Sequence, residues 1–166
     1  AFAEIRKRFP DLTYVICGIG PKPELEALSD VQGRVRYFKG VPWPFLRALY
    51  RHAELFILLP VDDEKDVEGF GFAFLEAAAA GLPVIGTRDS GAEDALREGE
   101  NGFLVPQRDV ASAVRSAVAI LDDSGLRERL GRGSRVFAEG MKWDNVIRAY
   151  RETYRELIGK KGSDVV

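Results

Sequence analysis

Residues 68–87 read EGFGFAFLEAAAAGLPVIGT. Gly69 and Gly71 flank Phe70 just ahead of an Ala, Phe and Leu run. Backbone N–H groups there can approach an anion at the positive end of a helix with no Cβ in the way. The run predicts a helix from Gly71 to Ala80, closed by Gly81 as a C-cap glycine closes one and barred from continuing by Pro83. A strand from Pro83 to Gly86 follows. Within the helix, Glu76 is the only charge between Phe72 and Leu82. The helix reads as buried, and a buried carboxylate needs hydrogen-bond donors; the paired hydroxyls of a ribose would supply two.

Outward from this segment the chain repeats the same unit. Short apolar or β-branched runs, Leu12 to Cys17, Arg34 to Phe38, Leu55 to Leu59, Pro83 to Gly86 and Gly102 to Val105, predict strands. Helical stretches lie between them at Pro23 to Leu28, Pro44 to His52, Gly71 to Ala80 and Gly91 to Arg97. Alternation of this kind predicts a Rossmann-like α/β sandwich of three layers around a mainly parallel sheet. Right-handed crossovers then gather the strand-to-helix loops on the carboxyl edge of the sheet, where α/β proteins bind ligands. Those loops are Gly18 to Pro21, Lys39 to Pro44, Val61 to Gly71 and Thr87 to Glu93.

After Val105 the sequence turns helical. Val110, Val114, Val118 and Leu121 form one stripe that Asp109 is placed to cap, and a second helix runs from Leu126 to Ala138. A third, Trp143 to Ile158, carries Trp143, Val146, Ile147, Tyr150, Tyr154 and Leu157 on one face and needs an apolar surface to lie against. The GKKGSDVV tail reads as frayed. The opening AFAEIRKRFPD has the spacing of the interior and end of an amphipathic helix with no cap before it, so a segment upstream is expected.

The chain has 166 residues, 46% apolar and 30% charged, with a net charge of -2. That is one ordinary globular unit, residues 1–166, with no internal repeat or linker. The near-balanced charge offers no footprint for nucleic acid or an anionic membrane. The apolar stretches are too short or too interrupted to span a bilayer, which leaves membrane association to an absent part. Cys17, the only cysteine, reads as a small buried side chain, and the cytoplasm is the default compartment.

The long composite of Glu68, Gly-Phe-Gly, Glu76 on an Ala-rich helix and Gly-Leu-Pro-Val resembles the carboxyl-terminal domain of retaining glycosyltransferases with the GT-B fold, the group 1 type. YVICGIGP, RVRYFKGV, ALYRHAELFILLP, ENGFLVP and MKWDNVIRAYRETYREL extend the resemblance over nearly the whole chain. It implies a domain that binds a nucleoside-diphosphate sugar, with Glu68 beside the donor sugar as the catalytic residue and Glu76 on the ribose. Main-chain amides around Gly69, Phe70 and Gly71 would meet the sugar hydroxyls and the diphosphate. Phe38 to Val41 would lie beside the base, although Phe38 serves equally as core. Gly18 and Gly20 give backbone room near the ligand, or are structural only. Ser90, Gly91 and Glu93 resemble the family's Gly-rich turn ending in an acid, one residue short.

The resemblance also implies what is missing: an amino-terminal acceptor domain and the first strand of this one, whose basic pair grips the diphosphate. Hexosyl transfer in carbohydrate biosynthesis is the expected activity, and an isolated domain without that pair is expected to be inactive. No cofactor or metal is expected. The acidic loop VDDEKDVEG has Val67 where an EF-hand turn needs glycine, so Asp62, Asp63, Glu64 and Asp66 read as a solvated loop, with Lys65 in water. His52, the only histidine, suits a helix C-terminus, and Trp43 reads as a loop anchor that also lies on the ligand edge. Two rivals stand beside this reading: a GT-B epimerase or phosphorylase, against which the paired glutamates argue, and a nucleotide-binding or interaction domain without activity.

Overall fold

The computed structural model describes residues 1–19, 33–62 and 69–161. The helix expected from Pro23 to Leu28, the acidic loop from Asp63 to Glu68 and the last five residues of the tail lie outside these. The elements run α1 (Phe2–Arg8), β1 (Tyr14–Gly18), β2 (Val35–Lys39), α2 (Trp43–His52), β3 (Phe56–Ile57), α3 (Phe72–Ala80), β4 (Val84–Thr87), α4 (Ala92–Ala95), β5 (Gly102–Val105), α5 (Val110–Asp122), α6 (Ser124–Gly140) and α7 (Trp143–Lys161).

All strand pairs are parallel. β1 and β2 form one sheet in register from Tyr14 opposite Val35 to Gly18 opposite Lys39. β3, β4 and β5 form another, with Phe56 opposite Val84 and Val84 opposite Gly102. β4, at the centre, is buried along its whole length. Its alternation sends Val84 toward Phe74, Ala77, Ala92, Ala95 and Leu96, and Ile85 toward Ile5, Val105, Ala113, Ala117, Ile120 and Leu130. Helices therefore cover both faces: α3 and α4 on one side, α1 and α5 on the other, in the expected three layers.

Local chemistry sets the ends of these helices. Asp109 caps α5 as the sequence predicts: its Oδ1 accepts from the Ser112 amide at 2.9 Å and its Oδ2 from the Ser112 hydroxyl at 2.5 Å. These bonds hold the Asp109 carboxyl below its ordinary pKa. Gly81 closes α3 in the left-handed region at φ 86°, which its missing Cβ permits. α6 carries Gly131 and Gly133 in its interior, where each costs up to about 1 kcal/mol of helix propensity. A Cβ on Gly131 would press on the Gly81 carbonyl and one on Gly133 on the Glu100 carbonyl, so glycine lets α6 lie directly on the backbone there. Ser134, fully buried beside them, donates to the Leu82 carbonyl at 2.6 Å.

Several expectations need correction. Cys17 is exposed, not buried. In β1 it alternates with Ile16 and shares its face with Val15, 38% exposed, and the described residues leave that face uncovered. Trp43 is the first residue of α2 and not a loop residue, because Pro44 favours a first helical turn and Pro42 can stand as its cap. Among the described residues α7 meets no apolar surface on this face: Trp143, Ile147, Tyr150, Tyr154 and Leu157 are all exposed by half or more. No helix among the described residues is long and apolar enough to cross a membrane.

Candidate functional site

In the β3–β4–β5 sheet the chain leaves each strand at the carboxyl edge, and α3 starts on the connection from β3 to β4 that begins there. Gly71 precedes α3 at φ 71°, a left-handed conformation that L side chains avoid. The tight entry brings the Phe74 amide onto the Gly71 carbonyl at 2.8 Å. No side chain caps this N-terminus among the described residues. Its first amides and the positive end of the helix dipole are thus presented at the edge, the arrangement that accepts an anion. Gly69 is exposed with nothing within 4 Å of where a Cβ would stand. Phe70, half-buried, meets the exposed Phe72 ring at 5.4 Å between centroids.

Glu76 lies four residues into the helix from Phe72, about 6 Å along its axis. It is half-buried and not enclosed, because α3 buries Phe74, Ala77 and Ala78 and leaves its other side partly open. One carboxylate oxygen accepts from the Tyr50 hydroxyl at 3.0 Å. Tyr50 belongs to α2, is half-buried, and packs its ring against Phe56 at 6.0 Å. Burial first, and then the charge and hydrogen bond of Glu76, push the Tyr50 phenol well above its ordinary pKa. The phenol therefore stays a donor at neutral pH and holds one oxygen of Glu76 in place. Among the described residues the other oxygen has no hydrogen-bond donor.

Tyr50 was not singled out in the sequence. Its only signal there is the apolar face of α2, which does not say that its hydroxyl reaches a helix 26 positions away. The same α2 helix binds a second candidate residue: Phe45 meets Phe38 edge-on at 5.2 Å between centroids. Phe38 and Val41 are half-buried, with Phe45 41% exposed above them. Gly18 ends β1 opposite Lys39, and a Cβ on it would meet only the Tyr37 ring, at 3.9 Å, so packing among the described residues does not demand glycine there.

Gly69, Phe70 and Gly71 thus lead into α3, which carries Glu76, while Gly18 lies on β1, Phe38 on β2 and Val41 between β2 and α2; α2 reaches both groups through Phe45 and Tyr50. Glu68 and Gly20 lie outside the described residues. His52 ends α2, exposed, as expected. In the Thr87 to Glu93 loop, Ser90 donates to the Thr87 carbonyl at 2.9 Å and Glu93 accepts from the Asp89 amide at 3.1 Å, so both side chains brace the turn.

The fold and the glycine-opened helix place the chain among parallel α/β domains, and comparison narrows the class. The family model for glycosyl transferases group 1 matches residues 1–137, and the chain belongs to that family. A D-inositol 3-phosphate glycosyltransferase of Salinispora arenicola is 35% identical over 98% of this chain. A GDP-mannose-dependent alpha-(1-6)-phosphatidylinositol monomannoside mannosyltransferase of Mycolicibacterium smegmatis is 31% identical over 86% of it. The chain covers 38% and 39% of those two proteins, so it corresponds to little more than a third of their length.

Solved structures agree on the fold. Sucrose-phosphate synthase from Thermosynechococcus elongatus superposes with a TM-score of 0.74 at 22% identity, over 96% of this chain and 42% of that one. The pneumococcal O-GlcNAc transferase GtfA, solved with UDP and GlcNAc, gives 0.70 at 24% identity, over 94% and 31%. The chain has the architecture of one half of a GT-B fold.

Proposed function

We propose that this chain is the donor-binding part of a retaining glycosyltransferase, holding a nucleoside-diphosphate sugar while a hexosyl group passes to an acceptor bound elsewhere. The observation that carries the reading is the Glu76 carboxylate: one oxygen is fixed by Tyr50 and, among the described residues, the other has no donor, one helical turn from a glycine-opened N-terminus that no described side chain caps. Ribose hydroxyls would donate to the second oxygen, and the diphosphate would lie toward the amides at Gly71 and Phe72. As the bond to the sugar breaks, negative charge grows on the leaving diphosphate. Pre-aimed amides at a helix start stabilise such charge without reorganising. No metal or other cofactor is needed for that step, since dipole and cationic side chains can meet the charge.

Glu68 takes the place beside the donor sugar, and Gly18, Gly20, Phe38 and Val41 line the nucleoside end. The acceptor and the remaining catalytic groups belong to an amino-terminal domain, and the basic pair that grips the diphosphate to a strand upstream of α1. Without them the 166-residue chain is inactive and binds its donor weakly. Its place of action is the cytoplasm, in carbohydrate biosynthesis.

Titration of the complete protein with UDP, GDP and ADP and their sugar conjugates tests this reading. One base series should bind, Glu76→Ala should weaken it at least tenfold, and Glu68→Ala should cut turnover far more than thermal stability. Binding by none of the nucleotides would instead favour an interaction domain without activity. A fully active Glu68→Ala protein would remove its catalytic role.

A further inference from the structure

Gln107, in the turn after β5, joins three loops with the two ends of one side-chain amide. Its Nε2 donates to the Arg88 carbonyl at 3.1 Å and the Asp89 carbonyl at 2.9 Å, and its Oε1 accepts from the Asp62 amide at 3.1 Å. Asp62 stands in the loop after β3, and Arg88 and Asp89 follow β4. A second bond runs parallel to the first: Thr87 Oγ1 donates to the Pro60 carbonyl at 2.6 Å.

The backbone is bent to make this junction. Among the described residues, the non-glycine positions with positive φ are Asp89 at 54° and Arg108 at 62°. One supplies a carbonyl to Gln107 and the other follows it in sequence. Left-handed conformations at non-glycine residues cost free energy and persist where the surroundings over-determine them, often beside functional sites. The apolar core does not account for them, since both residues are exposed. Only a primary carboxamide meets this set of partners, because its planar end offers two N–H donors and a carbonyl acceptor together. Glutamate keeps the acceptor for Asp62 and loses both donors; leucine, of similar size, loses all three bonds.

We propose that Gln107 is a positioning residue for the donor site: it ties Asp62, where the chain leaves β3 toward α3, to Arg88 and Asp89 after β4, and so fixes these two strand ends relative to each other. The proposal rests on the donor-binding reading above. Gln107 touches no reacting atom, so its effect falls on donor binding and not on the chemical step.

The test compares full-length wild type, Gln107→Leu and Gln107→Glu by steady-state kinetics with the nucleotide sugar the wild type uses, and by amide hydrogen exchange at Asp62. Expected are a KM for the donor raised about tenfold in both variants, kcat within about threefold, an unchanged KM for the acceptor, and Asp62 exchange faster in Gln107→Leu than in Gln107→Glu. An unchanged donor KM in both variants overturns the proposal while leaving the donor reading intact, and so does an unchanged Asp62 exchange rate in Gln107→Leu. A wild type that binds no nucleotide sugar overturns the donor reading itself, and this proposal with it.

Discussion

At the scale of single residues, the account turns on how a carboxylate on an apolar helix is aimed. Glu76 neither lies fully enclosed nor points freely into solvent; it is half-buried with one oxygen held by Tyr50 at 3.0 Å. A hydrogen bond to a charged group contributes about 1.5–3 kcal/mol, less where water reaches it. Tyr50→Phe removes the bond and keeps the ring against Phe56. Donor affinity should fall about three- to tenfold while the melting temperature drops by only a few degrees, as isothermal titration and thermal unfolding will report. An unchanged affinity would mean that Glu76 needs no help to hold its orientation. The prominence of Glu76 was legible in the sequence because a lone charge in an apolar helix is conspicuous. Its partner was not, because contact between α2 and α3 is tertiary and no local spacing encodes it. Cys17 was misread for a related reason: an apolar run says that a strand exists, but not whether both of its faces are covered.

At the scale of elements, glycines and caps explain most of what the sequence made readable. Gly71, Gly81 and Asp109 mark helix ends through backbone geometry and side-chain acceptors, and the helices begin and end beside them. Glycines inside α6 carry a different message that helix propensity alone cannot decode. Gly133→Ala would improve propensity by up to about 1 kcal/mol, yet its methyl would collide with the Glu100 carbonyl. Overpacking against backbone costs more than that, typically 1–3 kcal/mol and occasionally more. A net loss of about 2 kcal/mol is expected in chemical denaturation, and a stabilised variant would contradict the close approach of α6. The loops were least legible. Gln107 lies in no recognisable pattern, since its meaning depends on three loops being brought to one edge by the sheet.

At the scale of the whole molecule, two surfaces look unfinished. β1 and β3 belong to separate parallel sheets, and each has one edge unpaired by any described strand. Parallel strands of an α/β domain are normally interior, so these are the edges a further strand would cover. α7 has a stripe of Trp143, Ile147, Tyr150, Tyr154 and Leu157 with spacings of three and four, all exposed. A stripe of that size on a helix end to end marks an interaction face. The chain covers little more than a third of its curated relatives, and the rest of the protein is the proposed cover. Ile147→Glu should therefore leave the melting temperature of the 166-residue chain unchanged and lower that of the complete protein by several degrees. Equal effects in both would place the partner of α7 elsewhere.

The central claim is that Glu76 grasps a ribose, and a double-mutant cycle between protein and ligand tests it most directly. The complete protein and its Glu76→Ala variant are titrated with the preferred nucleoside diphosphate and with its 2′,3′-dideoxy analogue. If the carboxylate accepts from the ribose hydroxyls, wild type should lose about tenfold or more in affinity when they are removed, roughly 1.4 kcal/mol, and the variant should bind both ligands alike. An equal loss in wild type and variant would show that the hydroxyls are held by something other than Glu76.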